Sequence, residues 1–326
     1  MTLGPGPTRA PTHSHQSYQH EAFLYRGQAG FLDGMVPFVR DGVAAGEPVM
    51  VAVIEERAAP LRDALGGDAA DVHFVDMAEL GHNPARIIPG WQRFLDRHCR
   101  AGQPVRGIGE PIWVGRRDTE LLEAQLHEGL LNVAVDPDTP MWLRCPYDTT
   151  ALPAPVIEHA YRSHPLVVEA GWYAGSPLYG GAQYVTDFFA DGLPEPAGPV
   201  EVLPFAAGVG DVRELVVRQA ATAGLDGERT WAVGLAVQEM AAAVVRSSGT
   251  GTLRVWVEPE ALVCEVRDPG PAPDPMAGRR RPEPSEPDDR GLWLANQLCD
   301  LVQVRAGPAG SGRPSAKKSV TYWAPP

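Results

Sequence analysis

The stretch GLAVQEMAAAVVRSSG, residues 234–249, sets one carboxylate, Glu239, into an otherwise apolar helical pattern. A carboxylate followed four residues later by an amide places two oxygens on one helix face, where they can serve a divalent cation. Here the residue four positions on is Ala243, which offers only a methyl group. Further along, VCEVRDPGP closes an alternating apolar run with Asp268 and Gly270, and DDRGLWLANQLCDLVQVR opens an amphipathic run at Gly291. An Asp at a strand end can accept from the exocyclic amine of adenine, and a glycine lets the backbone approach the base. A helix start at Gly291 would turn free N–H groups toward phosphates. Asp288 and Asp289 precede it, and their charges would repel a triphosphate unless a metal intervenes.

The first half of the chain offers His20, Glu110, Trp113, Glu128, Tyr147 and Asp148. Glu110 closes one strand-like run and Tyr147–Asp148 follow another. Ligand crevices in open α/β sheets lie at the carboxyl ends of strands, which makes these residues candidates for a sensed ligand. Each also has a plainer reading: His20 as a satisfied edge residue, Trp113 as core, Tyr147–Asp148 as a turn held by Asp–backbone bonds. HEGLLN sets Glu128 and Asn132 at the spacing missing after Glu239, but without partner motifs, as a pair that packs or caps. His20 and His164 are far apart in sequence and show no third partner, so no metal site is read there. The four cysteines, Cys99, Cys145, Cys264 and Cys299, form no CxxC and read as buried thiols.

These residues must be positioned by two different kinds of unit. Over 20–165, short apolar runs (HEAFLYR, PVMVAVI, DVHFVDM, VRGIGEPIW, MWLRCPYD) alternate with amphipathic stretches, one carrying Phe31, Met35, Phe38 and Val39 toward a core. That alternation predicts an α/β domain with a mostly parallel sheet. No GxGxxG or GxxxxGK[ST] follows any of these runs. Residues 166–199 are rich in Gly and Pro and read as a linker, with a short helix of its own. From about residue 200 the order changes to two long helices (209–224, 227–247), two strands (251–258, 261–267), a loop, a helix (291–299) and strands at 300–306 and 318–324. That order predicts a two-layer α+β sandwich.

The chain has 326 residues, enough for two cores, and a hydrophobic fraction of 44%. Its net charge of −13 argues against direct nucleic-acid binding, which needs basic patches. The basic run GRRRPEP at 278–284 is followed by acidic residues and reads as a solvated loop. Residues 1–16, without an apolar h-region, read as a flexible leader. No apolar run approaches the roughly 18 residues that span a bilayer, and a cytoplasmic location is expected.

In their order, AVQEM, Asp268-Pro-Gly270 and DRGLWLANQLCDLVQVR resemble the GHKL (HATPase) fold shared by gyrase and histidine kinases, nearest the anti-sigma-factor serine kinases. The resemblance covers about residues 200–326. It implies that Asp268 reads adenine with Gly270 beside it, and that Arg290, Gly291 and Leu292 lie near the phosphates. It also implies that Glu239 is the catalytic carboxylate, and that ATP and Mg²⁺ are cofactors. Family members carry Asn where this chain has Ala243, and often His where it has Ser247, so the metal-holding amide is lost. HEAFLYRG, GEPIW, EGLLN, CPYD and His164–Pro165 similarly resemble the MEDS sensory domain over about 17–165. That domain is thought to be RecA-like without a phosphate loop and to bind small organic molecules. Together the resemblances imply a cytosolic anti-sigma-type regulator, a homodimer among its states, whose partner is a sigma factor or an anti-sigma antagonist. An active serine/threonine kinase, a sensor histidine kinase-like ATPase and a nucleotide-independent binding module stay open beside it.

Overall fold

The structure is a computed structural model that describes residues 8–9, 16–99, 102–169, 171–190, 192–206, 208–270, 274–282, 290–307 and 315–323. For 8–9, 307 and 315–323 it describes the backbone alone. Asp288 and Asp289, and the expected leader apart from Thr8, Arg9 and Gln16, lie outside these residues. The chain divides into two units, Met1–Val185 and Thr186–Pro326.

The first unit is the α/β domain that the alternation predicts. Its strands are β1 (Thr8–Arg9), β2 (Gln19–Tyr25), β3 (Val49–Val53), β4 (Val72–Asp76), β5 (Val105–Gly109), β6 (Met141–Asp148), β7 (Leu166–Glu169) and β8 (Trp172–Gly175). They lie in the order β1-β8-β7-β2-β6-β5-β3-β4. From β7 to β4 every pairing is parallel, and β8 pairs antiparallel with β7 and β1. β3, β5 and β6 are buried along their whole length, which is why β3 reads as a continuous apolar run and β5 and β6 as runs broken only by buried Arg106, Arg144 and Asp148.

Helices cover both faces. α1 (Gly27–Ala44) and α2 (Glu55–Leu65) pack Phe31, Met35, Phe38, Val39, Leu61 and Leu65 against Phe23, Val51, Ile108 and Trp142. α4 (Ile87–His98), α5 (Asp118–Ala134) and α6 (Ala154–Ser163) follow the later strands, after a short α3 (Met77–Leu80). Trp91 of α4 lies over the sheet where Gly107 and Gly109 leave room for its ring.

Two expectations change here. Leu166–Glu169 and Trp172–Gly175, read as the start of a linker, form β7 and β8, because Val167 and Val168 bury against β2. Thr8–Arg9 of the expected flexible leader pairs with β8. The expected short helix is α7 (Gly181–Ala190), and the division between the units falls within it.

The second unit is the expected two-layer sandwich. β9 (Glu201–Phe205), β10 (Gly251–Glu258), β11 (Ala261–Asp268), β12 (Leu301–Gly307) and β13 (Ser315–Trp323) form an antiparallel sheet in the order β12-β13-β11-β10-β9. α8 (Gly210–Thr222), α9 (Gly227–Ser248) and α10 (Arg290–Leu298) bury Val212, Val216, Val237, Met240, Val244 and Ala295 against Leu253, Val255, Leu262, Cys264 and Val266. Asp226 caps α9, its side chain accepting from the Arg229 amide, and Gly249 ends the helix in the left-handed region. Val257, in line with the buried Leu253 and Val255 of β10, is exposed beside the hairpin turn. Arg279, in the basic run read as solvated, is 4% exposed, and Gly278 beside it accepts a hydrogen bond from Asn296 of α10. No helix among the described residues is long and apolar enough to cross a membrane.

Candidate functional site

The six candidates of the first unit fall into two groups, on opposite sides of the β2–β6 pair. The split follows from the two-residue period of a strand. Tyr147 and Asp148 are neighbours in β6, so their side chains leave on opposite faces and serve different sites.

Glu110, Trp113 and Asp148 meet at the carboxyl ends of β2, β3, β5 and β6. With Tyr25, Arg57 and Ile112 they line a crevice of about 280 Å³. Arg57 sits between the two acids, its Nε 3.6 Å from Glu110 Oε1 and its Nη2 3.4 Å from Asp148 Oδ2. Its guanidinium also lies over the rings of Tyr25 and Phe31.

The two acids behave differently because their surroundings differ. Asp148 Oδ1 accepts from the Gly27 amide, the Thr150 amide and the Thr150 hydroxyl. Burial opposes its charge, but these bonds and Arg57 outweigh it and hold the carboxyl below its usual value. Glu110 is 3% exposed and its Oε2 meets no hydrogen-bond partner. Burial pushes its pKa up to about 8 against the pull of Arg57 and the Ile54 amide. At neutral pH the crevice therefore offers a carboxylic acid proton, a guanidinium and an indole, a set suited to a small polar organic ligand.

His20, Glu128 and Tyr147 form the second group, under α5. His20 Nε2 lies 3.1 Å from Glu128 Oε2, and Tyr147 donates its hydroxyl to Glu128 Oε1 at 3.2 Å. Two residues outside the candidate set complete the group: Cys145, with Sγ 3.4 Å from His20 Nε2, and His164, with Nε2 3.4 Å from Glu128 Oε2. All are buried. Burial and the facing His164 hold the His20 imidazole below its ordinary pKa. Burial would raise the Glu128 carboxyl, but the two imidazoles outweigh it and hold it low.

The sequence reading kept His20 and His164 apart for want of a third partner. Parallel pairing of β2 with β6, and of β2 with β7, brings their rings to a centroid distance of 4.1 Å, with Glu128 between them. Glu128 and Asn132, read as a packing pair, do act together, since Asn132 Oδ1 faces His20 Nδ1 at 3.1 Å.

A third feature escaped the sequence reading. On the α1 face, Arg106 and Arg144 line a cavity of about 800 Å³ with Phe23, Phe38 and Trp142. Each arginine is neutralised by a buried glutamate, Glu47 for Arg106 and Glu21 for Arg144, and each lies over the Phe38 ring. The signal was an arginine inside each of the buried runs VRGIG and MWLRCPYD.

In the second unit the expected nucleotide residues gather around α9. Asp268, at the end of β11 and 6% exposed, accepts from the Ser248 hydroxyl at 2.6 Å and from the Gly270 amide at 2.8 Å, both at Oδ1. A Cβ on Gly270 would crowd Ser248 Oγ and Asp268 Oδ1, so a larger residue there would have to displace the side chains that fix the carboxylate. Gly291 is the second residue of α10 and packs on the α9 backbone. An added Cβ there would stand 2.9 Å from the Glu239 carbonyl oxygen. The Leu292 side chain is buried in the core. Arg290 is exposed and lines a cavity of about 450 Å³ with Glu239, Arg246 and Leu294.

The adenine end of this site therefore fits the group that the resemblance implies: a buried carboxylate, a glycine turn and a serine that fixes the carboxylate. The metal end does not. Ala243 is half-buried one turn after Glu239 and supplies no oxygen, and Ser247 donates its hydroxyl back to the Val244 carbonyl.

Comparison with known proteins agrees with this division. Residues 19–165 match the model of the MEDS family, the MEthanogen/methylotroph, DcmR Sensory domain. Residues 206–312 match the histidine kinase-like ATPase domain. No curated protein matches the chain. The chain thus joins a MEDS sensory domain to a histidine kinase-like ATPase domain.

Proposed function

We propose that this chain is a signalling regulator in which the MEDS domain takes a small organic ligand and the ATPase domain, weakened in metal binding, binds a protein partner. The partner class is a sigma factor or the antagonist of one, with adenine nucleotide as a modulator of that binding. The observation that carries this reading is the contrast within one site: Asp268 is buried and held by Ser248 and Gly270, while Ala243 stands where a metal-holding amide is needed. The anti-sigma assignment rests on the resemblance of AVQEM and RGLWLANQLCDLVQVR to that branch. Phosphoryl transfer depends on Mg²⁺ to neutralise developing charge, so losing a metal ligand lowers transfer more than it lowers adenine recognition.

The ligand reading rests on the crevice at the strand ends. Its volume and its three polar groups suit a molecule of a few heavy atoms with a hydroxyl or carbonyl to accept the Glu110 proton.

Calorimetric titration of the full chain with ATP, with and without Mg²⁺, tests the central claim. The expected result is weak binding that Mg²⁺ improves by less than about threefold, and no transfer of the γ-phosphate to a captured partner. Tight, Mg²⁺-dependent binding with phosphorylation of a partner serine or threonine would establish a kinase instead. Glu239, retained in the cavity wall, is the observation that favours that second reading.

A further inference from the structure

We propose that His20, Glu128, Cys145 and His164 bind a zinc ion in a closed, four-ligand site within the first unit. The four ligand atoms lie within 4.8 Å of one another and every one of these residues is buried. Zinc bonds of about 2.0–2.1 Å to nitrogen and oxygen and about 2.3 Å to sulfur set tetrahedral ligand–ligand separations at about 3.3–3.6 Å. The separations here are 3.1 Å for His20 Nε2 to Glu128 Oε2 and 3.4 Å for Cys145 Sγ to His20 Nε2. Cys145 Sγ to Glu128 Oε2 is 3.6 Å, and His164 Nε2 to Glu128 Oε2 is 3.4 Å. These four pairs lie at or near tetrahedral separations, and the remaining two lie within 4.8 Å, so closing the sphere asks the ligand atoms to draw together by about 1 Å at most.

The outer hydrogen bonds determine which atoms face inward. Asn132 donates its Nδ2 to the Ser163 carbonyl at 2.8 Å, which turns its Oδ1 toward His20 Nδ1. A carbonyl oxygen accepts only, so His20 carries its proton on Nδ1 and points the Nε2 lone pair at the cluster. His164 does the same, because its Nδ1 lies 2.9 Å from the Ala160 carbonyl oxygen. Its Nε2 is fully buried and has no hydrogen-bond partner. Two imidazole lone pairs, a thiol sulfur and a carboxylate oxygen thus converge in a site closed to water. With both imidazoles neutral these acceptors face one another and repel, and a cation between them, a proton on an imidazole or a metal ion, converts that repulsion to attraction. Outer bonds that fix the imidazole tautomers are a regular accompaniment of metal ligation.

The donor set selects the ion. A thiolate with two imidazoles and one carboxylate suits a borderline-soft divalent ion and disfavours magnesium or calcium, which take oxygen ligands. Four protein ligands leave no open position, so the ion ties β2, α5, β6 and the end of α6 together rather than activating water. This inference is independent of whether the second unit binds nucleotide.

The test uses the full chain purified without chelators. Metal analysis should find close to one zinc per chain. After stripping with a chelator, titration with cobalt(II) should produce intense visible bands and a near-ultraviolet thiolate-to-cobalt charge-transfer band. Cys145→Ser should lose the charge-transfer band, while Cys264→Ser, in the second unit, keeps it. Should Cys145→Ser fail to fold, the wild-type zinc content and cobalt spectrum decide the matter alone. Wild-type chain without zinc that also gives no thiolate band with cobalt overturns the proposal. So does a band that survives Cys145→Ser and disappears in Cys99→Ser.

Discussion

Ser248 donates its hydroxyl to Asp268 Oδ1 at 2.6 Å, joining the last turn of α9 to the end of β11. The Gly270 amide donates to the same oxygen. Oδ1 is thereby engaged inside the fold, and Asp268→Asn leaves the acceptor role of that oxygen in place. The asparagine carbonyl can accept both bonds, and the second oxygen is replaced by an amide NH2. We expect the melting temperature to move by no more than about 2–4 °C, equivalent to roughly 1 kcal/mol. Adenine nucleotide affinity should fall at least about tenfold when the side-chain amide NH2, a donor, faces the adenine amine, also a donor. Thermal melting and calorimetry on the full chain check both parts. A large loss of stability with nucleotide affinity unchanged would remove Asp268 from the binding site.

Glu110 gives the first unit a pH dependence of definite sign. Its carboxyl has an ordinary value of 4.5 and a folded value of about 8. Between those values the folded chain binds more protons than the unfolded chain, so stability falls as pH rises through that window. The contribution is whole below about 4.5 and the cost complete above about 8. Arg57, Asp148 and Tyr25 are the titratable neighbours, and Arg57 offsets part of the cost. Glu110→Gln keeps an acceptor for the Ile54 amide and has no proton to lose. Its stability relative to wild type should therefore rise steadily between pH 5 and pH 9 in parallel thermal melts. Parallel curves for the two chains across that range would show that Glu110 does not titrate there.

Gly291 is a packing residue before it is a phosphate residue. A Cβ at this position meets the carbonyl oxygen and carbon of Glu239 at 2.9 Å and 3.2 Å, and backbone atoms in mid-helix cannot turn aside. Gly291→Ala should force α10 away from α9 and cost about 1–3 kcal/mol, the usual range for overpacking. Gly227→Ala, at the first residue of α9 with nothing within 4 Å of the added carbon, is the matched control and should leave stability unchanged or slightly raised. Equal melting temperatures for the two variants would contradict the close approach.

The elements that were legible in the sequence are those whose burial repeats with a regular period. Runs such as PVMVAVI are apolar on both faces because they lie between helices, and with the largely apolar MWLRCPYD they announced a parallel sheet. β7 and β8 were missed because Leu166–Glu169 and Trp172–Gly175 are short and sit among glycines and prolines, where turn chemistry dominates the local signal. Glu110 and Asp148 were legible as a crevice because strand ends place residues at one edge of a sheet. The His20, Glu128, Cys145 and His164 group was not, since strand pairing, not sequence spacing, brings 20, 145 and 164 together. Arg144 and Arg106 were hidden for a related reason: their partners, Glu21 and Glu47, lie 123 and 59 positions away.

Ala243 is the residue on which the reading of the second unit turns. It stands four positions after Glu239 on α9, half-buried, and the 450 Å³ cavity beside it is lined by Glu239, Arg246 and Arg290. A positively charged wall can meet phosphate directly, but it cannot bridge phosphates as a metal does. Ala243→Asn restores an amide oxygen on the helix face that carries Glu239, and adds little volume at a half-buried site. ATP affinity with Mg²⁺ should rise at least about tenfold, equivalent to about 1.4 kcal/mol. Affinity measured without the metal should stay within about twofold of wild type. Calorimetric titrations of both chains, each with Mg²⁺ and with a chelator, separate the two contributions. Tight Mg²⁺-dependent binding by wild type, unchanged in Ala243→Asn, would mean that the metal is held by other residues and that Ala243 does not weaken the site.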